Sequence, residues 1–396
     1  AMTSLVYDNK PALAPDVIKS LYDSKRIFGS VSRLETFAAC PFKHFARYTL
    51  GLDEQTTPTL TRIELGSVYH SALEGLFRRI IDGEHSIDDD LAPILTNLSE
   101  LVATDLESRV AIDESRSRFV RTLFEENLND IVTRQRRTIG GGSLRPRRVE
   151  MSFGLESDDS GPLEIKTPKG RTVALRGKID RIDVHPVGSQ LVASVIDYKL
   201  TARNLSWPEA YSGLALQLMT YLLVLSEKGA QLLGQPVQTA GALFVGISRI
   251  LRREDHPDIV PPRDDPAYWK DSQFKPRGLL NAEHFSNLEH NFGGRSSAYF
   301  VGLPPKDDKL VNLDVIADRA MQNVLDWTRQ KLGALADEIA DGNIAVDPYR
   351  LGTKVPCGSC AYRSVCRFDR FVNRHKDIEG LKPAEVIEKM SDEVTQ

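Results

Sequence analysis

The sequence predicts an α/β protein in which a small mixed sheet is flanked by helices. Runs with helical spacing of apolar residues fill the first third of the 396-residue chain. Short runs rich in β-branched residues follow, separated by Gly, Pro, Asp and Ser. Helical runs then return towards the end. A sheet enclosed between two helical stretches in this way is typical of an α/β core with a helical insertion.

The first half of the chain is predicted to begin with an N-terminal extension, residues 1–29, and then to enter a domain spanning residues 30–375. Ser32 is predicted as the N-cap of a helix, and Glu35 completes a capping box with it. That helix leads to Cys40, and Pro41 follows. Residues 66–82 and 91–137 have helical periodicity, so residues 70–137 are expected to form a helical wall.

The second half is predicted to contain the sheet and the closing helices. The expected elements are strands Arg148–Leu155, Arg171–Val184, Leu191–Lys199 and Ala240–Ile247, a helix at 208–228 and a long helix Asn312–Asp341. The Pro-, Asp- and Gly-rich stretch 251–312 is expected to be an irregular insertion, and residues 376–396 a polar tail.

Composition excludes several classes of protein. Hydrophobic residues make up 41% and charged residues 27%, as in ordinary globular proteins. The net charge of −4 argues against a generally basic nucleic-acid coat protein, although a local charge can still bind DNA. No apolar run approaches the roughly 20 residues that cross a membrane, and no signal peptide opens the chain, so a cytoplasmic location is expected.

The four cysteines indicate a metal or cluster site. Cys40 stands alone near the start, while Cys357, Cys360 and Cys366 form a Cys-x₂-Cys-x₅-Cys pattern near the end. Four thiolates without a spare suit an iron–sulfur cluster or a structural zinc ion, and spacing does not distinguish the two. Free buried thiols are the third alternative. A shared site would join the two ends of the chain.

A second group of residues suggests a divalent-metal site. Asp197 and Lys199 are two residues apart on a predicted strand, so both side chains point to one face. Asp180 ends an earlier strand, and antiparallel pairing would bring it beside Asp197. Carboxylates converging in this way suit Mg²⁺ or Mn²⁺. Asp183 falls on the opposite strand face from Asp180. Alone, such a pattern is more typical of a solvated salt bridge.

A cluster of arginines surrounds the glycines at 140–142, which are expected to be flexible. It can be either a solvated linker or a mobile contact for nucleic-acid phosphates. Its members are Arg134, Arg136, Arg137, Arg145, Arg147 and Arg148.

Five motifs in a fixed order resemble the PD-(D/E)XK nucleases of the RecB type. They are Ser-x-Leu-Glu-x-Phe-x-x-Cys-Pro-Phe at 32–42, Gly-x-x-x-His at 66–70, Gly-x-Ile-Asp at 177–180, Asp-Tyr-Lys at 197–199 and Gln-x-x-x-Tyr at 217–221. With the four cysteines, the chain resembles the iron–sulfur branch, and within it the C-terminal nuclease domains of the AddB type. The resemblance covers about residues 30–372.

The resemblance implies a restriction-endonuclease-like core, an iron–sulfur staple joining the two ends, and a role for each motif residue. His70, Asp180, Asp197 and the carbonyl of Tyr198 would bind Mg²⁺ or Mn²⁺, and Lys199 would be the catalytic lysine. Gln217 and Tyr221 would line the site or touch the DNA backbone. Glu150 is a weaker candidate for the metal shell. Cys40, Cys357, Cys360 and Cys366 would hold a [4Fe–4S] cluster.

The implied function is an exonuclease that processes DNA ends, single-stranded ones included, for recombinational double-strand break repair, with an AddA-type helicase as partner. No Gly-x₄-Gly-Lys-Ser/Thr motif is present, so no ATP site is expected in this chain. Two alternatives stay open: a free-standing exonuclease of the CRISPR-adaptation type, and a non-catalytic iron–sulfur module that binds DNA. A zinc-stapled interaction domain would leave the acidic residues and Lys199 unexplained.

Overall fold

The computed structural model of the protein describes residues 9, 11–22, 25–53, 62–109, 114–155, 160–248, 265, 268, 274–292, 296–306 and 309–395. The α-helices are α1 (Pro15–Tyr22), α2 (Val31–Ala39), α3 (Pro41–His44), α4 (Arg62–Ile81), α5 (Ala92–Arg109), α6 (Glu114–Gly141), α7 (Trp207–Tyr211), α8 (Gln217–Leu233), α9 (Phe285–Leu288), α10 (Asp318–Ala340), α11 (Arg363–Cys366) and α12 (Pro383–Thr395). The strands are β1 (Arg26–Gly29), β2 (Arg145–Phe153), β3 (Leu163–Lys166), β4 (Thr172–Leu175), β5 (Gly177–Val187), β6 (Gln190–Thr201), β7 (Val237–Ser248), β8 (Arg277–Asn281), β9 (Val311–Asn312), β10 (Val315–Ile316), β11 (Tyr349–Arg350) and β12 (Lys376–Asp377).

The main sheet is mixed and has seven strands in the order β2-β5-β6-β7-β8-β10-β9. Strands β2, β5 and β6 form an antiparallel meander, and β7 runs parallel to β6 because α7 and α8 cross over between them. A smaller sheet, β1-β4-β3, packs beside it. The predicted mixed sheet flanked by helices is therefore confirmed, with more strands than the sequence indicated.

Helices cover both faces of the main sheet. Along β6, Ala193 and Val195 face a core formed with α8 and α10, whereas Val192, Ile196 and Tyr198 face a core formed with α4, α5 and α6. The alternation follows from the two-residue period of a strand. Every strand residue from 191 to 198 is buried, which explains why the sequence here is an almost continuous apolar run.

Several predicted boundaries were wrong. The run expected to form one strand, Arg171–Val184, is divided into β4 and β5, which belong to different sheets. The helix predicted at 208–228 is two helices, α7 and α8. Within the predicted irregular insertion, 251–312, strand β8 joins the main sheet between β7 and β10. The part of that insertion at 251–264 lies outside the described residues.

Described segments near both ends of the chain belong to the fold. Strand β1, in the predicted N-terminal extension, pairs in parallel with β4. Helix α12, in the predicted polar tail, buries Val386, Ile387 and Met390 in the core beside α10. Both predictions of a peripheral segment were therefore wrong, because amphipathic runs this short gave little periodic signal. No helix among the described residues is long and apolar enough to cross a membrane.

Candidate active site and cysteine site

The candidate active site lies where strands β5 and β6 separate. Their antiparallel ladder ends at the pair Arg181–Ile196, while β5 goes on pairing with β2 and β6 with β7. Asp180 and Asp197 are the next residues beyond the last pair, so the predicted antiparallel arrangement is confirmed. Oδ2 of Asp180 accepts a hydrogen bond of 2.7 Å from the backbone N–H of Tyr198. Where the strands diverge, this carboxylate thus replaces a backbone carbonyl as the acceptor for the N–H group of β6.

Three side chains of ligand type converge at this fork: His70 from α4, Glu150 from β2 and Asp180 from β5. One ligand atom of each lies within 4.8 Å of the others. Nδ1 of His70 is 3.4 Å from Oδ1 of Asp180 and 3.9 Å from Oε1 of Glu150. Nε2 of His70 is 3.0 Å from the carbonyl oxygen of Tyr198. Carboxylates with one imidazole and a carbonyl make a donor set that fits a hard divalent cation.

Glu150 is more central than its sequence suggested. It has φ of +49° inside strand β2, a left-handed conformation that residues other than glycine rarely adopt. It lies between residues paired with Arg181 and Ile179, which places it opposite Asp180. Its carboxylate is 9% exposed and forms an ion pair with Lys178. Backbone strain of this kind concentrates at functional sites, and here it accompanies a carboxylate within reach of His70.

Asp197 adjoins the trio but is held by other partners. Its Oδ1 accepts a hydrogen bond of 2.8 Å from Nε2 of Gln217, and its Oδ2 lies 2.5 Å from Nζ of Lys199. The predicted shared strand face of Asp197 and Lys199 is therefore confirmed. Nε2 of Gln217 also donates to the hydroxyl of Tyr221 at 3.0 Å. Tyr221 is buried, so it supports Gln217 from within the fold.

The electrostatics of the site favour a bound cation. Burial lowers the pKa of His70, but hydrogen bonds with Asp180 and Glu150 outweigh it and raise that pKa to about 10. Burial and the nearby Asp180 together raise the pKa of Asp197 to about 6, although the attraction of Lys199 opposes that rise. The proton on His70 thus offsets the negative charge of the neighbouring carboxylates. A divalent cation would take over this role and displace the proton.

Asp183 lies on the opposite face of β5, as the strand period predicted. It accepts hydrogen bonds of 2.7 and 2.8 Å from the guanidinium of Arg181. Arg181 is 1% exposed and also donates to the hydroxyl of Tyr198 and to Gln135. This bidentate pair satisfies a buried charge and does not reach the trio.

Three members of the arginine cluster, Arg134, Arg136 and Arg145, make structural hydrogen bonds, which corrects the interpretation of these three as a mobile phosphate contact. Arg134 is buried and donates to the carbonyls of Asp130 and Ile247. Arg136 donates to the carbonyls of Ile87 and Asp89, at 2.6 Å each, and so ties α6 to the loop before α5.

The remaining arginines divide into two groups. Arg137 is half-buried, and Arg145 donates to three backbone carbonyls around the glycines. Arg147 and Arg148 on β2 are exposed. The glycines are not a flexible linker, because α6 extends to Gly141. A Cβ added to Gly142 would lie 2.2 Å from the carbonyl oxygen of Leu288.

The four cysteines line one hollow, although they come from opposite ends of the chain. Cys40 sits in the extended link between α2 and α3, and the other three come from the segment around α11. Apolar walls surround the hollow, including Phe42, Val346 and Phe368. Cys40 is buried, and the others are partly exposed. A four-thiol set in one apolar hollow fits either an iron–sulfur cluster or zinc.

The surroundings of Cys40 suit a bound thiolate. Burial raises the pKa of the Cys40 thiol to about 11, while backbone N–H groups of Lys43 and Asp347 hydrogen-bond to the sulfur and oppose that rise. Burial, together with Cys360 and Cys366, raises the pKa of Cys357. Mutual repulsion of this kind disappears when a cation binds all the thiolates.

A mixed sheet whose strands present Glu150, Asp180, Asp197 and Lys199, beside His70 of helix α4, is the arrangement expected of a metal-dependent nuclease. The sequence model of the PD-(D/E)XK nuclease superfamily matches residues 29–367. The chain belongs to this superfamily.

Curated relatives are bacterial proteins, each named as one of the subunits of an ATP-dependent helicase/deoxyribonuclease. The relative from Moorella thermoacetica is 32% identical over 364 residues, 90% of this chain and 31% of the relative. That from Desulforudis audaxviator is 30% identical over 97% of this chain and 33% of the relative. That from Bacillus subtilis is 28% identical over 98% and 34%. The chain spans about a third of the length of these relatives.

Proposed function

We propose that this chain is a divalent-metal-dependent deoxyribonuclease module that degrades DNA from its ends, as part of an AddAB-type helicase–nuclease in recombinational repair. The observation that carries the proposal is the convergence of His70, Glu150 and Asp180 beside the Asp197–Lys199 ion pair. A donor set of this kind next to a lysine suits phosphodiester hydrolysis, since both cation and lysine can neutralise charge on the phosphate.

In this proposal, His70, Glu150 and Asp180 hold Mg²⁺ or Mn²⁺, with the Tyr198 carbonyl and Asp197 as further ligands. When bound, the cation supplies Lewis-acid stabilisation of the phosphate and lowers the pKa of water. The side chain of Lys199 is 26% exposed, whereas that of Asp197 is 2% exposed. The ammonium group of Lys199 can therefore contact a substrate phosphate while the buried Asp197 carboxylate holds it in position.

The protein scaffold orients these groups before substrate arrives. Gln217 fixes one oxygen of Asp197, and the Tyr198 N–H fixes one oxygen of Asp180. The other oxygen of Asp180 lies beside His70, and the other oxygen of Asp197 lies beside Lys199. Such preorganisation limits the rearrangement needed when phosphate binds.

The cysteine hollow is proposed to hold a [4Fe–4S] cluster through Cys40, Cys357, Cys360 and Cys366. N–H groups directed at the Cys40 sulfur support a cluster, because hydrogen bonds to the sulfurs tune such centres. The cluster would close a loop that contains nearly the whole fold, and we infer a structural role for it.

The names of the relatives support the proposed partner and substrate. Each name describes part of a helicase/deoxyribonuclease, and this chain matches about a third of each relative. We therefore propose an AddA-type helicase as the partner in the full assembly and DNA ends as the substrate.

The proposal is tested by incubating the purified chain with end-labelled linear DNA, single-stranded and duplex, and with closed circular DNA. We expect Mg²⁺- or Mn²⁺-dependent release of short products from linear molecules, abolished by EDTA and by Asp180→Asn. Circular DNA should resist. Digestion that persists in EDTA, or equal digestion by Asp180→Asn, would contradict the assignment of the site.

A further inference from the structure

Glu35 makes contacts that the nuclease chemistry above does not use. The sequence predicted it in a capping box with Ser32 on its own helix, and that prediction was wrong because Ser30 is the N-cap of α2. Instead, Oε1 of Glu35 accepts hydrogen bonds from the backbone N–H groups of Leu216 and Gln217, at 2.7 and 3.1 Å. Glu35 therefore caps the start of another helix, α8.

Helix α8 depends on this external acceptor. Its own N-cap residue, Leu216, has no side chain that can accept a hydrogen bond from the first turn. Free N–H groups at a helix start favour an anionic acceptor, both as donors and through the helix dipole. Glu35 supplies a carboxylate from α2, far away in sequence, to the first turn of a 17-residue helix.

The capped turn reaches the candidate active site directly. Gln217, whose main-chain N–H is held by Glu35, donates its side-chain N–H to Asp197 at 2.8 Å. Gln217 thus connects Glu35 to Asp197: its backbone N–H donates to Glu35, and its side-chain N–H donates to Asp197. A shift of this turn would move Gln217 and release the Asp197 carboxylate.

A carboxylate at this place needs an explanation beyond packing. Burial raises the pKa of Glu35 to about 7, although the two N–H bonds, Arg203 and Lys199 oppose that rise. An apolar side chain would avoid this desolvation cost, but it would leave the N–H groups of α8 unpaired. Lys199 therefore acts on Glu35 as well as on Asp197.

We propose that Glu35 is a positioning residue for the metal site, fixing Asp197 through the first turn of α8 and Gln217. The inference rests on the proposed function, since it takes Asp197 as a ligand and the site as a nuclease site. Helix α2 also ends at Cys40, so one helix connects the cysteine site with the active site.

The direct test is Mn²⁺ affinity, measured by calorimetry on the purified chain for the wild type, Glu35→Ala, Glu35→Gln and Glu227→Gln. Glu227 is on helix α8 and pairs with Arg329, remote from the fork, which makes it the matched control. We expect Glu35→Ala to weaken Mn²⁺ binding about tenfold or more, as loss of an orienting partner does. Glu35→Gln keeps an acceptor oxygen and should stay near wild type, as should Glu227→Gln.

Cleavage kinetics separate positioning from general loss of structure. Glu35→Ala should lower kcat on single-stranded DNA with KM unchanged, and rescue by Glu35→Gln should restore it. Gln217→Ala should reproduce the defect, and the double variant should be no worse than Gln217→Ala alone, since both act on one path. Independent, multiplying effects would overturn the inference, as would wild-type Mn²⁺ affinity in Glu35→Ala.

The outcomes distinguish the inference from the proposed function. Tight Mn²⁺ binding without DNA cleavage by the wild type would refute the nuclease, while the affinity series would still decide the role of Glu35. A lower melting temperature in Glu35→Ala with unchanged affinity in the folded protein would assign Glu35 to stability alone. Absence of Mn²⁺ binding by the wild type would overturn both.

Discussion

At the scale of single residues, two aspartates on β5 show how neighbouring acids acquire different tasks. Asp180 faces the fork, where His70 and the Tyr198 N–H hold it. Asp183, three residues later, lies on the opposite face of the strand, where Arg181 neutralises its charge. The two-residue period of the strand places the two side chains on opposite faces of the sheet. Because both side chains are buried, neither can turn to the other face.

Exchanging each aspartate for asparagine should separate function from stability. Asp180→Asn should abolish Mg²⁺-dependent cleavage and weaken Mn²⁺ binding, with little change in melting temperature. Asp183→Asn should leave Mn²⁺ affinity intact but lower the free energy of unfolding by about 3 to 5 kcal/mol, since Arg181 would stay buried without its counter-charge. Calorimetry and denaturant unfolding measure the two effects. A large loss of metal affinity in Asp183→Asn would contradict the assignment.

Metal affinity should rise with pH. His70 keeps its proton up to a pKa of about 10, because Asp180 and Glu150 stabilise the charged imidazole. A cation that binds this nitrogen must displace the proton, so each pH unit below 10 weakens binding by up to about tenfold. Mn²⁺ titrations from pH 6 to 9 test this slope.

The control for the pH effect is His70→Asn, which removes the titrating group. It should bind Mn²⁺ more weakly at every pH and show a flatter dependence above pH 7. Below that, the raised pKa of Asp197, about 6, should still weaken binding as the carboxylate is protonated. A wild-type affinity independent of pH between 7 and 9 would show that His70 is not protonated in the free site.

Residues of the site were predictable from sequence where local spacing determines their placement. Asp197 and Lys199 share a face because they are two apart on a strand. Glu150 was underestimated because its left-handed backbone departs from regular strand geometry. The capping role of Glu35 was assigned to its own helix instead of α8, because its carboxylate accepts a hydrogen bond from a residue 181 positions away, and no local pattern encodes such a contact.

At the scale of elements, the end of α6 contradicts the expectation that the glycines at 140–142 form a flexible segment. Three consecutive glycines predicted flexibility, but two of them, Gly141 and Gly142, allow close packing instead. A Cβ on Gly141 would lie 2.1 Å from the Tyr299 ring, and one on Gly142 would lie 2.2 Å from the Leu288 carbonyl. Glycine here serves close approach of backbone and side chains, a use that composition does not distinguish from flexibility.

Alanine substitutions at neighbouring glycines should therefore have opposite effects. Gly142→Ala should destabilise the protein by about 2 kcal/mol or more, since the Leu288 backbone cannot retreat without strain. Gly140→Ala is the control, because a Cβ there has nothing within 4 Å. It should be neutral or stabilise α6 by up to about 1 kcal/mol. Equal melting temperatures for the two variants would restore the flexible-linker interpretation.

Elements with strong periodicity were predicted more successfully than short ones. Helix α4 and strands β6 and β7 have long buried faces and were found near their true positions. Strands β3, β8, β9 and β10 were missed because each has only two to five residues. Their pairing is determined by neighbours distant in sequence, which the local pattern does not contain.

At the scale of the whole molecule, the two ends of the chain meet at the cysteine hollow. Besides the thiols, Asn9 donates to the carbonyl of Cys366 at 3.1 Å and to Asn373 at 3.1 Å. The hydroxyl of Tyr362 donates to the carbonyl of Leu52 at 2.9 Å. Each of these contacts joins residues that are at least 310 positions apart in the sequence, so the cysteine site should hold the domain closed.

Replacing Cys40 should therefore be as damaging as replacing a member of the C-terminal trio. We expect Cys40→Ala and Cys360→Ala to lose bound iron alike and to lower the melting temperature alike, because each removes one of four ligands. Iron and sulfide content with thermal melting measure this. A local zinc site at 357–366 would instead bind zinc in Cys40→Ala with an unchanged melt.

The central claim is that the fork between β5 and β6 is a metal-dependent nuclease site in which Lys199 acts on the phosphate. The most direct measurement compares Mg²⁺-dependent digestion of end-labelled single-stranded DNA by the wild type and Lys199→Ala, with Mn²⁺ affinity determined on both. We predict that Lys199→Ala binds Mn²⁺ at least as tightly as the wild type, because Asp197 loses its competing cation, yet cleaves at least about 100-fold more slowly. Cleavage by Lys199→Ala at the wild-type rate would contradict the claim.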